Sequence, residues 1–340
     1  MSGTEAGLPV YRSDADFERA QRELVALDLD DGLPLVTPTR ARLEAMLSGV
    51  ADPRRSYGNV MPLFGELRAD AVAYQCVLAG CEPAELPLVL SAVEACQAPE
   101  FNLLGVLTTT GTPAIAVIVH PPLSTELGVR SGTNCLGPGS RVNASIGRAV
   151  SLVLRNIGGA RDGVADMATM GQPGKYTFCF AEDGSTDIPG LAVRRGLRPD
   201  EPAVTVMAVS GTAELLPVGG GAGIAEILDP VALAMGATVS VSGAREREPH
   251  PQMMLMPPEL VQVLAKHGCG LPEMQRYLFD RARVPQCDGA GWDAQRRIAP
   301  AADAIDIVIT GGPGVKMTYV PLWAGGSATQ TVRVRALDGR

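Results

Sequence analysis

The stretch SGTNCLGPGSRVNASIGRA, residues 131–149, places a thiol, hydroxyls, an arginine and bare backbone at the mouth of a periodic helix. Gly137, Pro138 and Gly139 leave main-chain amides unobstructed, and Ser140 stands where a helix cap is needed. The first turn of a helix carries unpaired N–H groups and a partial positive charge, which suits a carboxylate or phosphate. Arg141 adds a fork of donors, and Asn143 falls within the first turn. A thiol near a helix start and an arginine loses its proton more easily, so Cys135 is a candidate nucleophile. Cysteine is equally a common small core residue, and a capped helix under a tight loop needs no ligand. The loop matches neither a Walker A sequence nor a dinucleotide fingerprint, so no nucleotide is expected.

The stretch MGQPGKYTFCFAEDG, residues 170–184, is the second dense patch. Lys175 follows a Pro-Gly turn, precedes an apparent strand, and lies seven residues before Glu182. A partly desolvated lysine binds carboxylates, acts as a base or forms an imine. The chain has only three lysines, Lys175, Lys266 and Lys316, against 26 arginines, and Lys316 sits in a similar glycine-rich turn. Ser131 and Ser210 each precede Gly-Thr, and a hydroxyl beside a lysine is a nucleophile–base pair. His120 ends a β-branched run, a position that faces ligand in many α/β folds and is as often structural. The three histidines have no paired spacing, and Cys76 and Cys81 have no matching second pair, so no metal site is expected.

Periodic segments must position these groups. DADFERAQRELVALDLDDG reads as a helix capped by Asp14 or Asp16. GLPLVTPTRARLEAML reads as a short strand and a helix, with Thr37 as cap and Pro38 at its first position. ADAVAYQCVLAGC and AELPLVLSAVEAC read as two buried helices, with Cys76, Cys81 and Cys96 in the core. The helix after Ser140 carries an apolar stripe at Ile146, Val150, Val153 and Leu154 and stops at Gly158-Gly159. The runs TPAIAVIVHPP, EPAVTVMAVSG and ADAIDIVITGGPG resemble one another, with Ala114, Ala203 and Ala304 in register. The expected fold is therefore α/β, with three α/β units packed as pseudo-repeats around a common centre. Residues 1–58 form an N-terminal arm, and the units span 59–160, 161–243 and 244–340.

The totals narrow the class. The 340 residues are 46% apolar, which rules against disorder, and the formal charge of −8 disfavours nucleic acid. No 18-residue apolar span and no signal-peptide pattern is present, and seven dispersed cysteines fit reduced thiols, so a cytoplasmic protein is expected.

Several motifs together resemble a bacterial family. They are DGLPLVTPTRARLEAML, AGCEPAELPLVLSAVEAC, PEFNLLGVLTTTGTPA, ELGVRSG, LGPGSRVNASIGRAVSLVLRNIGG and GQPGKYTFCFAED. Members are often encoded beside small cysteine- or selenocysteine-containing proteins with a U/C-G-S-C motif, related to the B component of the glycine and betaine reductases. The resemblance is strong over residues 31–184 and weaker beyond. It implies Arg141, Asn143 and Lys175, with Tyr176 beside it, as site residues. It also implies a small UGSC-like partner whose thiol or selenol cleaves a carbon–heteroatom bond, in an oligomeric assembly. The chain departs from the family at His120-Pro121-Pro122, where Asn-Gly-Pro is usual, and at Cys135, where a small residue is usual.

Three readings follow. The chain is an enzyme or enzyme subunit that holds a small anionic substrate for thiol-dependent chemistry. Alternatively it is a self-sufficient three-repeat hydrolase of the cyclic-amide type with Ser–Lys pairs, or a binding or scaffold subunit without turnover.

Overall fold

The computed structural model describes residues 7–241, 249–284 and 296–338; Cys287 lies outside them. An N-terminal arm carries α1 (Phe17–Ala26) and α2 (Arg40–Leu47). A hairpin of β1 (Ser56–Val60) and β2 (Gly65–Arg68) leads into α3 (Ala69–Ala79), α4 (Leu86–Cys96) and α5 (Leu103–Thr108). Then come β3 (Ala114–Val119), α6 (Leu123–Leu127), α7 (Arg141–Asn156), β4 (Cys179–Ala181), α8 (Leu191–Arg194) and β5 (Ala203–Val209). The chain continues through β6 (Ala213–Leu215), α9 (Ile224–Val241), β7 (Gln252–Met256), α10 (Pro258–Lys266) and α11 (Leu271–Arg281). It closes with β8 (Ile305–Ile309), β9 (Met317–Val320) and β10 (Gln330–Arg333).

Local signals set most boundaries. Ser140 caps α7, its Oγ accepting from the Asn143 amide. Two caps differ from the sequence reading. The cap of α2 is Thr39, whose Oγ1 accepts from the Arg42 amide, and only an isolated bridge between Tyr11 and Thr39 stands where a strand was expected. The first helical turn is capped by Ser13 rather than by Asp14 or Asp16.

Strands β3, β5, β7 and β8 are buried along their whole length, and apart from Thr205, Gln252 and Asp306 their residues are apolar. A strand with no polar face needs cover on both sides, and the fold supplies it in four layers. One face of the first sheet, with Val117, Val119, Val204 and Val206, packs on α3, α4 and α7. Its other face, with Ala116, Ile118, Phe180 and Met207, meets Met253, Leu255, Val308 and Val320 of the second sheet. The outer face of that sheet, with Met254, Met256, Ile305 and Ile307, packs on α9, α10 and α11.

The chain is α/β, but its strands do not form three separate units. The sheet orders are β4-β3-β5-β10 and β8-β7-β9-β6. In each, the second strand is parallel to the first and antiparallel to the third. In each, two helices connect the parallel pair, α6 and α7 in one and α10 and α11 in the other. The pattern thus occurs twice, and the two copies exchange strands. After β5 the chain crosses to add β6 to the second sheet, and after β9 it crosses back to add β10 to the first. Of the three similar runs, 114–119 and 203–209 are antiparallel neighbours, and 305–309 is an edge strand of the other sheet. Their likeness reflects double-sided burial, which the edge strand at 305–309 shares with the two strands of the first sheet. Among the described residues no helix is long and apolar enough to cross a membrane.

Candidate functional site

Asn143, on the first turn of α7, organises the loop before it. Its Oδ1 accepts from the Arg130 amide at 2.8 Å, and its Nδ2 donates to the carbonyls of Arg130 and Cys135 at 3.0 and 3.2 Å. The Ser140 hydroxyl donates to the same Oδ1 at 2.7 Å. The buried Asn143 amide therefore acts as a short length of sheet edge, and all of its polar capacity goes to the loop. Gly137 donates its N–H to Asn134, and Gly139 lies at a φ of 112°, a conformation that favours glycine. The motif is a fully wired loop rather than an open cradle.

Arg141 points away from that mouth. It pairs with Glu85 at 2.7 Å and Glu82 at 3.2 Å, and donates to the Gly80 carbonyl at the end of α3. Its role is to clamp α7 to the corner between α3 and α4, and the Glu85 bond raises its pKa.

At the carboxyl ends of β4 and β8 the two sheets meet. The Asp183 amide donates to Ile309 at 2.7 Å, and the Gly311 amide donates to Ser131 at 2.7 Å. The buried Thr310 hydroxyl lies within hydrogen-bond distance of the Ser131 and Ala181 carbonyls and 3.5 Å from the Cys135 sulfur. Cys135 is 7% exposed and packs in the layer between the sheets. The Ser131 hydroxyl lies 3.5 Å from Asp183, and neither Ser131 nor Ser210 contacts a lysine among the described residues.

Beside this seam a chain of buried polar groups crosses the first sheet. His120 Nδ1 lies 2.8 Å from Glu182 Oε2, His120 Nε2 lies 2.7 Å from Thr205 Oγ1, and Thr205 lies 2.8 Å from Thr331 on β10. Glu182 also accepts from the Leu191 amide. Sequence reading placed His120 and Glu182 near a ligand, whereas both are sealed in the interior and bonded to each other.

Lys175 stands at the opposite end of β3. It lines a cavity of about 890 Å³ with Tyr176, Asp166, Arg155 and Gln172. The start of β3, at Ala114 and Ile115, forms part of its floor, together with Val106 and Leu152. Lys175 Nζ pairs with Asp166 at 2.5 Å, and both side chains are about three-quarters shielded. Gln172 pins the loop to the Thr112 and Val209 carbonyls. Tyr176 is 47% exposed at the rim. Four further carboxylates, Asp28, Asp30, Asp31 and Asp162, line the cavity, and Asp28 and Asp31 are paired with Arg155 and Arg148. Lys316 is on the second sheet, in an exposed pair with Glu214 at 3.2 Å.

The expected residues thus fall into two groups. Cys135, Ser131, His120, Glu182 and the loop of Gly137, Gly139 and Ser140 gather near the carboxyl end of β3, and Lys175 and Tyr176 at its amino end. A shared pocket of Arg141 and Lys175 is not formed. Ser151 is the first cavity-lining residue on α7, and ten residues of helix put about 15 Å of axis between it and Arg141. Sequence reasoning missed Asp166, Gln172, Arg155 and Thr310. Asp166 precedes Lys175 by nine residues with no periodic element between them, so no local pattern couples the two. Among the described residues no group of side chains could hold a metal ion.

No protein-family model and no curated protein matches the chain.

Proposed function

We propose that this chain is an enzyme or enzyme subunit that binds a small carboxylate-bearing substrate in the cavity at Lys175. There it takes part in making or breaking a carbon–heteroatom bond by thiol-dependent chemistry. The observation that carries the reading is the Lys175–Asp166 pair at the wall of the cavity. A lysine ammonium has three donors, and Asp166 engages one. Asp166 holds the ammonium in place and leaves two donors for a ligand. Tyr176 contributes a phenol at the rim, and the apolar floor suits the rest of a small organic molecule. Among the described residues the cavity wall includes no cysteine, and Cys135 is engaged between the sheets. On this reading the thiol arrives with a partner, a small Cys-containing protein of the UGSC kind, docking at the open side of the cavity.

Thermal melting of the purified chain with small carboxylates is the first test. A carboxylate that raises Tm for the wild type and not for Lys175→Ala supports the reading. Equal shifts in both proteins overturn it. Turnover only in a mixture with the thiol-bearing partner supports the subunit role, and turnover by the isolated chain without thiol overturns it.

A further inference from the structure

Cys76 and Cys81 are brought together by the way α3 ends. In CVLAGC, residues 76–81, Gly80 takes the left-handed conformation at a φ of 85°. The Cys81 amide donates to the Cys76 carbonyl at 2.9 Å, and the Gly80 amide donates to the Val77 carbonyl at 3.0 Å. This pair of bonds is the Schellman ending of a helix, and it sets the side chain after the glycine against the side chain five positions earlier. Apolar side chains commonly fill those two places. Here both are thiols, and Cys81 is hydrogen-bonded to Cys76 through sulfur.

A disulfide needs Cα atoms about 4.4–6.8 Å apart. Standard bond lengths and the main-chain bond of 2.9 Å hold these two Cα atoms within about 7 Å of each other. The helix end thus places both residues at bridging range. The turn is also held from outside, because Arg141 donates to the Gly80 carbonyl at 3.0 Å and pairs with Glu85 at 2.7 Å. The two thiols differ in access. Cys76 is fully buried and Cys81 is partly exposed, so a small reagent reaches Cys81 first. The hydrogen bond to Cys76, burial and the nearby Glu85 together raise the Cys81 pKa.

We infer that Cys76 and Cys81 form a redox-active dithiol that exchanges with small-molecule disulfides, apart from the Lys175 cavity. The Cys81 sulfur, once it has lost its proton, attacks a disulfide RSSR, the S–S bond breaks, and one RS⁻ leaves and takes up that proton. The Cys76 sulfur, deprotonated in turn, attacks Cys81 in the mixed disulfide and expels the second RS⁻, which is protonated likewise. The dithiol is oxidised by two electrons to the Cys76–Cys81 disulfide, and RSSR is reduced to two RSH.

The test exposes the native full chain to hydroxyethyl disulfide, quenches with acid and N-ethylmaleimide, cleaves after glutamate and weighs the peptides. Peptide 67–82 carries these two cysteines and no other. It is expected to lose two hydrogens, to regain them with dithiothreitol, and to react faster as the pH is raised and Cys81 gives up its proton. Cys76→Ser is expected to stop at a stable mixed disulfide on Cys81, and Cys81→Ser to leave Cys76 unmodified until urea is added. The inference is overturned if peptide 67–82 of the wild type stays reduced in the native protein, or if a mixed disulfide accumulates on Cys81 without closing. It is also overturned if native Cys81→Ser is modified at Cys76 as fast as the wild type reacts.

Discussion

His120 Nδ1 and Glu182 Oε2 lie 2.8 Å apart, with both side chains only 2% exposed, at the carboxyl ends of the parallel neighbours β3 and β4. Each partner is held a second time, His120 by Thr205 and Glu182 by the Leu191 amide. The pair thereby ties three strands and α8 into one polar knot inside an apolar layer. Truncating one member leaves the other's hydrogen-bonding group buried and unsatisfied, which costs about 1–3 kcal/mol. Glu182→Ala and His120→Ala are therefore expected to lower the urea midpoint sharply. A pair of single mutants within about 0.5 kcal/mol of wild type, the range of ordinary surface substitutions, would show that the knot contributes little.

Gly147 sits in the middle of α7 where the helix crosses the entry to β4. A Cβ there would meet Thr177 Oγ1 at 2.5 Å and the Phe178 amide nitrogen at 2.7 Å. Alanine gains about 1 kcal/mol in helix propensity over glycine. Forced overpacking costs about 1–3 kcal/mol, and the neighbour here is backbone that cannot rotate aside. The clash should win, so Gly147→Ala is expected to destabilise the protein in chemical unfolding. A stabilised variant would mean that α7 shifts freely on the sheet.

Cys135 is expected to react slowly. Its sulfur is shielded between the sheets and next to Thr310. Iodoacetamide labelling, followed by peptide mass spectrometry, should find Cys135 no faster than the fully buried Cys96 in the native protein, and both fast in urea. Selective labelling of native Cys135 would return it to the list of nucleophiles.

Lys175 and Asp166 should be energetically coupled. A double-mutant cycle over Lys175→Ala and Asp166→Ala isolates the pair. Partial shielding places the coupling near the upper end for exposed pairs, about 1 kcal/mol. Additive single effects would mean that the two side chains do not hold each other in solution.

Alkaline pH should weaken the fold. Burial pushes the Cys96 and Cys179 thiols up, and burial likewise raises the Tyr319 phenol. An unfolded thiol loses its proton near pH 8.5, while the folded one keeps it. The native state then binds more protons than the unfolded state, and stability falls with rising pH. The stabilising contribution is complete below about pH 8.5 and is lost above it, by up to about 1.4 kcal/mol per pH unit for each group. Urea unfolding on either side of that pH should show the fall, with a shallower slope in Cys179→Ala. A stability that is flat or rising across this range would contradict the burial of these groups.

The local elements were legible in the chain. The runs at 114–119, 203–209 and 305–309 are apolar at every position but Thr205 and Asp306, a pattern that suits a strand covered on both faces. Ser140 announced a helix start because its side chain satisfies an amide within reach along the chain, and Gly158-Gly159 announced its end. Cys76 and Cys96 were readable as core for the same reason of local apolar context, whereas Cys81, read the same way, is only partly buried. What only the tertiary structure decided was pairing. Apolar runs carry no label for their neighbours, so three similar runs suggested a threefold plan where strand exchange between two sheets produced a twofold one. Charges behaved alike: Arg141 looked free beside a helix start until Glu85, 56 positions earlier, was brought against it. The division of the candidate residues between the two ends of β3 was equally hidden. Six residues of strand separate those ends by about 20 Å, while the loops that carry the residues lie close in sequence.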